Sequence, residues 1–206
     1  MTPLRLFCRG FCAGLLAGAV VSAAAAEPPR IGLVLGGGGA RGAAHIGVLE
    51  VLERLRVPVH CVAGTSMGAL VAGAWAAGSS PERMRGELTV ADWGDLFFDS
   101  TEYRELSLRN KQLVQRFLPG TELGVTPQGL TAPPGAVAGQ KIKLFFNQLV
   151  RADLGEPDLA TLALPVALIA TDIGSGERVV FRSGPLTQAM RASMSVPGLM
   201  APADIG

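Results

Sequence analysis

The segment Gly64-Thr65-Ser66-Met67-Gly68 constrains this chain more than any other. An apolar run at 59–63 precedes it, and a run of small and apolar residues at 69–77 follows with helical character. A strand, a sharp turn and a helix, with Ser flanked by glycines as G-x-S-x-G, describe a nucleophile elbow. The requirement is steric. The turn forces the Ser backbone into a strained conformation that pushes its hydroxyl clear of the sheet, and only glycine at the flanking positions permits so tight a bend. The helix beyond aims its first N–H groups at the same point, where an oxyanion would form. Taken alone the pattern also matches ordinary small-residue turns, so its surroundings have to carry the reading.

Those surroundings hold a second glycine loop one strand-helix unit upstream. Ile31–Leu35 reads as a short buried strand, Gly36-Gly37-Gly38-Gly39-Ala40-Arg41-Gly42 follows, and 43–56 reads as an amphipathic helix. Ile46, Leu49, Leu52 and the pair Val48/Val51 recur on it at three- and four-residue spacing. Successive amides in such a loop form an anion-binding nest. Consecutive parallel strands place both loops at the C-terminal edge of one sheet, where ligands bind. One loop then offers an alcohol and the other offers oxyanion donors. Gly37, Gly39 and Gly42 also satisfy the dinucleotide pattern G-x-G-x-x-G. That pattern requires an acid at the end of the next strand, and Ala63-Gly64-Thr65-Ser66 supplies none. A phosphate-binding P-loop would end in Gly-Lys-Ser/Thr, which Arg41-Gly42-Ala43 does not.

Gly37-Gly38-Gly39-Ala40-Arg41-Gly42 followed by Gly64-Thr65-Ser66-Met67-Gly68 resembles the patatin-like phospholipases, in particular their bacterial branch related to the neuropathy target esterase domain. The similarity runs from Ile31 through Ala170-Thr171-Asp172 to Ala192-Ser193-Met194-Ser195-Val196-Pro197-Gly198. It implies a three-layer α/β fold with a mainly parallel central sheet flanked by helices. It implies a serine acyl hydrolase of lipid esters, of phospholipase A or lysophospholipase type, that uses a Ser–Asp dyad and no cofactor or metal. Carried over by position, Ser66 is the nucleophile within the elbow formed by Gly64, Thr65, Met67 and Gly68. Gly37, Gly38 and Gly39 form the oxyanion hole, with the Gly38 and Gly39 amides as donors and Arg41 supporting the loop. The family's Asp belongs to an Asp-Gly-Gly/Ala motif beyond the Ser-x-Pro-Gly segment, and Ala201-Pro202-Ala203-Asp204-Ile205-Gly206 does not contain it. The expectation is therefore a chain cut short at its C-terminus, without its general base and nearly inert by itself.

Within the chain, Asp172 is the leading substitute base, since it ends the apolar strand at 164–170; its alternative role is a turn carboxylate that accepts N–H groups of Gly174 or Gly176. His45 and His60 read as packing residues with satisfied ring nitrogens. No His follows His60, whereas the Ser…Asp…His order of α/β-hydrolases would put His last.

The N-terminus bears on compartment. Arg5 and Arg9, an apolar stretch and the run Ser22-Ala23-Ala24-Ala25-Ala26 read as a secretory signal peptide over 1–26, leaving an acyl hydrolase domain at 27–206. The alternative is an uncleaved membrane anchor. Export to the periplasm, outer membrane or medium follows. Cleavage would leave Cys61 alone, expected as a small buried apolar residue that cannot form an intrachain disulfide. With 18 basic against 17 acidic residues the net charge is +1, which argues against a nucleic-acid partner and is silent on zwitterionic lipid; a lipid or phospholipid substrate at a membrane surface is what the resemblance implies.

Elsewhere, Ser80-Pro81 should cap a helix to 90, and 92–99 reads as a helix end with packed aromatics. The segment 104–118 turns from charged to apolar, and 123–137 is Gly- and Pro-rich and reads as an irregular loop, either a flap or a plain connector. Helices are expected at 139–151 and 186–195, and a strand at 179–181 should pair with 164–170. Two further readings remain open: a catalytically inactive lipid-binding module, and the passenger domain of a larger outer-membrane or secreted protein.

Overall fold

The computed structural model describes residues 29–98, 104–116, 124–127, 129–131, 135–151 and 155–205. The signal-peptide reading at 1–26 lies outside them. The fold is α/β, with a mainly parallel sheet flanked by helices. Four strands form the sheet: β1 (Ile31–Leu35), β2 (Val59–Thr65), β6 (Val166–Thr171) and β7 (Arg178–Phe181), in that spatial order. The first three are parallel and β7 is antiparallel to β6. In register, Leu35 faces Gly64 and Thr65 faces Ile169, so the loops leaving β1, β2 and β6 open on one edge.

Helix α1 (Ala44–Arg54) connects β1 to β2. It starts after a 3-10 turn at Gly39–Ala43 and buries Ile46 and Leu49, while Val48 and Val51 stay exposed. Helix α2 (Met67–Ala76) is apolar on every side and is buried on every side, as such a helix must be. It packs on β2 and β6, and α1, α3 (Pro81–Val90), α6 (Gln140–Val150) and α7 (Leu186–Met194) surround it. Both parallel crossovers step the same way across the sheet, and right-handed connections then bring their helices to one face. Leu35, Val62, Val166 and Leu168 point into that core.

The expected local signals operate. Ser80 accepts the Arg83 N–H at 3.2 Å, with Pro81 in the first helical turn. Ile142, Phe145, Phe146 and Leu149 form the buried face of α6. The β6–β7 pair closes through the turn at 172–177, where Gly176 N–H donates to the Asp172 carbonyl at 2.8 Å.

Three expectations need correction. The aromatics at 92–98 do not end the preceding helix. Asp92 accepts the Asp95 N–H at 3.0 Å and starts a new helix, α4 (Trp93–Phe98), whose Trp93 meets Phe145 edge-on at 5.6 Å. The Gly/Pro-rich stretch is not wholly irregular. After α5 (Leu108–Arg116) it holds a hairpin, β3 (Gly124–Thr126) with β4 (Gly129–Thr131), and then β5 (Gly135–Val137), which pairs in parallel with β8 (Gly198–Met200). Cys61 is exposed, because it alternates away from the buried Val62 and Gly64 onto the sheet face opposite α2.

Candidate active site

Ser66 follows β2 directly and caps α2 with φ 54° and ψ −122°. A non-glycine residue at positive φ is uncommon, and such strain costs on the order of 1–3 kcal/mol. Arg151 also has positive φ, but at φ 57° and ψ 42° it occupies the ordinary left-handed well of a helix C-cap. Capping therefore accounts for Arg151 and does not account for Ser66.

The flanking glycines explain how the bend closes. A Cβ at Gly64 would lie 2.3 Å from the Gly68 carbonyl oxygen, and one at Gly68 would lie 2.2 Å from that of Leu35. Both positions exclude any side chain, and together they press the first turn of α2 against the end of β1. That approach brings the two loops together. A Cβ at Gly37 would come within 3.3 Å of the Ser66 Cβ. Gly42 is buried against Met67, whose own side chain lies in the core. Gly37, Gly38, Gly39 and Arg41 are all exposed at this edge. Among the described residues, backbone hydrogen bonds outside helices and strands include none from the Gly37 or Gly38 amides. Met67 and Gly68, in the first turn of α2, have no intrahelical acceptor for their N–H groups. Donors thus gather around the alcohol from two directions.

Histidine 45 secures the glycine loop, with Nε2 at 2.9 Å from the Gly36 carbonyl oxygen. His60 Nδ1 accepts the Ile31 N–H at 3.0 Å, at the opposite end of β1. One ring nitrogen of each is thus tied to backbone, but His60 is exposed and does not pack as the sequence reading expected.

Ser66 is half-buried and lines an open cleft of about 670 Å³. Ile169, Val179, Phe181, Val196 and Met200 supply apolar wall. The volume falls within the usual range for small-molecule sites. Asp172 also lines the cleft, but its Oδ1 accepts the Ser175 N–H at 2.7 Å and the Ser175 hydroxyl at 3.0 Å. The Ser175 N–H, then its hydroxyl, hold the Asp172 carboxyl below its usual range. The chief N–H comes from Ser175, with a smaller contribution from the Gly174 N–H anticipated from sequence.

Two residues near the site escaped sequence reasoning. Ser193 on α7 accepts the Ser66 N–H at 2.7 Å. Arg191 is buried, and its guanidinium donates to Ser195 Oγ and to the carbonyls of Ala138 and Ala201, both at 2.7 Å. Ser193 falls in the Ala192–Gly198 block, which shows no spacing that points to a function, and Arg191 lies just before it.

Residues 33–206 match the family described as patatin-like phospholipase. An uncharacterised NTE family protein of Mycobacterium tuberculosis is 35% identical over 177 residues, which cover 86% of this chain and 40% of that protein. The neuropathy target esterase of Drosophila melanogaster is 33% identical over 173 residues, 84% of this chain and 10% of its own length. This chain therefore spans less than half of either relative. In fold, it resembles a chain of the ExoU–SpcU complex from the type III secretion system of Pseudomonas aeruginosa, with TM-score 0.54 at 20% identity over 82% of this chain and 39% of the other. On the match across residues 33–206 and on these relatives, the chain belongs to the patatin-like phospholipase family.

Proposed function

We propose that the protein is a serine acyl hydrolase of lipid esters. The observation that supports this best is Ser66 itself: a strained, partly exposed alcohol at an apolar cleft, packed against a glycine loop. Ser66 Oγ would attack the ester carbonyl and form a tetrahedral oxyanion. The Gly38 and Gly39 amides would stabilise that oxyanion, aided by the first amides of α2. Loss of one such donor typically raises the barrier by roughly 3–4 kcal/mol. Collapse expels the alcohol of the lipid and leaves an acyl ester on Ser66, which water then hydrolyses.

The general base in this proposal is an Asp outside residues 1–206, as the family resemblance implies. Two observations favour it over Asp172. The Asp172 carboxylate already serves the turn to Ser175, and relatives of the chain are longer than the portion it matches. The substrate class is a phospholipid or lysophospholipid at a membrane surface, and the exported location follows from the reading of residues 1–26.

The test is substitution in the full-length protein. Ser66→Ala is expected to abolish hydrolysis of a medium-chain ester and labelling by a fluorophosphonate, with the circular dichroism spectrum unchanged. Retention of most of the activity would remove Ser66 from the mechanism. A folded wild-type protein that the probe fails to label would instead favour a lipid-binding module.

A further inference from the structure

The amide of Ser66 is already in use. It donates to Ser193 Oγ at 2.7 Å across 127 residues of sequence, and Ser193 Oγ donates in turn to the Ile169 carbonyl oxygen at 2.6 Å. A hydroxyl has a single proton. With that proton directed to Ile169, the face of the oxygen towards Ser66 can only accept, so the direction of both bonds is fixed. One side chain therefore joins the elbow, the end of β6 and α7.

Two consequences follow. The Ser66 N–H is unavailable to an oxyanion, so donors must come from the glycine loop and from the first turn of α2. The positive φ of Ser66 is also held from outside its own turn, by a partner on another helix. The packing of α7 is carried by Leu186, Ala189, Met190 and Met194, which are buried in the core. Ser193 adds little to that packing, and its polar group is spent on the elbow.

We propose that Ser193 is a positioning residue for the nucleophile: its hydroxyl holds the Ser66 backbone in the conformation that aims Oγ at the cleft. This rests on the reading of Ser66 as the nucleophile. Ser193→Ala would leave the Ser66 N–H and the Ile169 carbonyl without their partner and free the elbow to relax. Misplacement of a reacting atom by about 1 Å can cost a factor of order a hundred.

The experiment measures two quantities in the full-length wild type, Ser193→Ala and Ser193→Thr: the rate at which a fluorophosphonate modifies Ser66, and hydrogen exchange at the Ser66 amide. Melting temperatures show that each variant is folded at the temperature used. Ser193→Ala is expected to slow modification roughly ten- to a hundredfold, with KM for a soluble ester little changed. It should also speed exchange at Ser66 while the amides of 71–74 in α2 keep their protection. Ser193→Thr, which retains the hydroxyl, should recover most of both. Unchanged exchange at Ser66 in Ser193→Ala would overturn the hydrogen bond. Faster exchange with an unchanged modification rate would overturn the positioning role. A loss of rate that Thr fails to restore, although exchange is restored, would overturn it as well. A wild-type protein left unmodified at Ser66 would remove the hydrolase reading and the positioning role together, and exchange would still report on the contact.

Discussion

Single atoms decide whether the elbow exists. At Gly68 the nearest neighbours of an added Cβ are main-chain atoms of Leu35 and Gly36, which cannot withdraw without breaking the end of β1. At Gly37 the nearest neighbour is the Ser66 Cβ, at 3.3 Å, where a shift of a few tenths of an ångström suffices. Gly68→Ala is therefore expected to abolish soluble expression, or to lower stability by at least the ~1–3 kcal/mol typical of overpacking. Gly37→Ala should fold with a melting temperature near wild type while fluorophosphonate labelling of Ser66 slows. Thermal melts and labelling rates on the two variants check both statements. The elbow was legible from sequence because part of its cause is local: Gly64 is the chemical trace of a contact with Gly68 within five residues, although Gly68 itself answers to Leu35 and Gly36 on the preceding strand. Ser193 left no such trace. Its bond to the Ser66 amide spans 127 residues, and no periodicity or spacing encodes it.

Elements were legible where one face is buried and where caps carry their own chemistry. The face of α6 and the Ser80-Pro81 start of α3 are both of this kind. β5 was not legible. Its three residues gain a partner only because α7 delivers β8 alongside, and a short run containing Gly135 shows no alternation of its own. The β6–β7 hairpin gives a pH test at this scale. Its turn carboxylate, Asp172, titrates below its ordinary value of 3.8 because the Ser175 N–H and hydroxyl favour the ionised form. A depressed folded value means that this contribution is fully present above the unfolded value and is lost as the pH falls through the folded one. In urea titrations, the stability gap between wild type and Asp172→Asn should therefore hold above pH 3.8 and close below it. The same variant should keep near-wild-type ester turnover, since the carboxylate serves the turn. A large loss of turnover would make Asp172 the base.

At the scale of the molecule, the order β1-β2-β6-β7 with crossovers in one direction gives the sheet two unlike faces. The face towards α2 holds the core, while Val34 on the other is 78% exposed and Cys61 is exposed beside it. Alternation within a strand says which residues share a face. It does not say which face is covered, and the expectation for Cys61 failed on that point. Cys61 should accordingly react with a maleimide under native conditions nearly as fast as in urea, as read by mass spectrometry of the peptide that carries it. A buried thiol would react only on unfolding.

Helix α7 carries more than the contact to the elbow. Gln188 donates to the Asp204 carbonyl at 2.8 Å and Arg191 to that of Ala201 at 2.7 Å, and residues 202–205 form part of the cleft wall. Wall and Ser66 are thus both hydrogen-bonded to one helix. On the hydrolase reading proposed above, a ligand that displaced the wall would be felt through α7 at the Ser66 backbone.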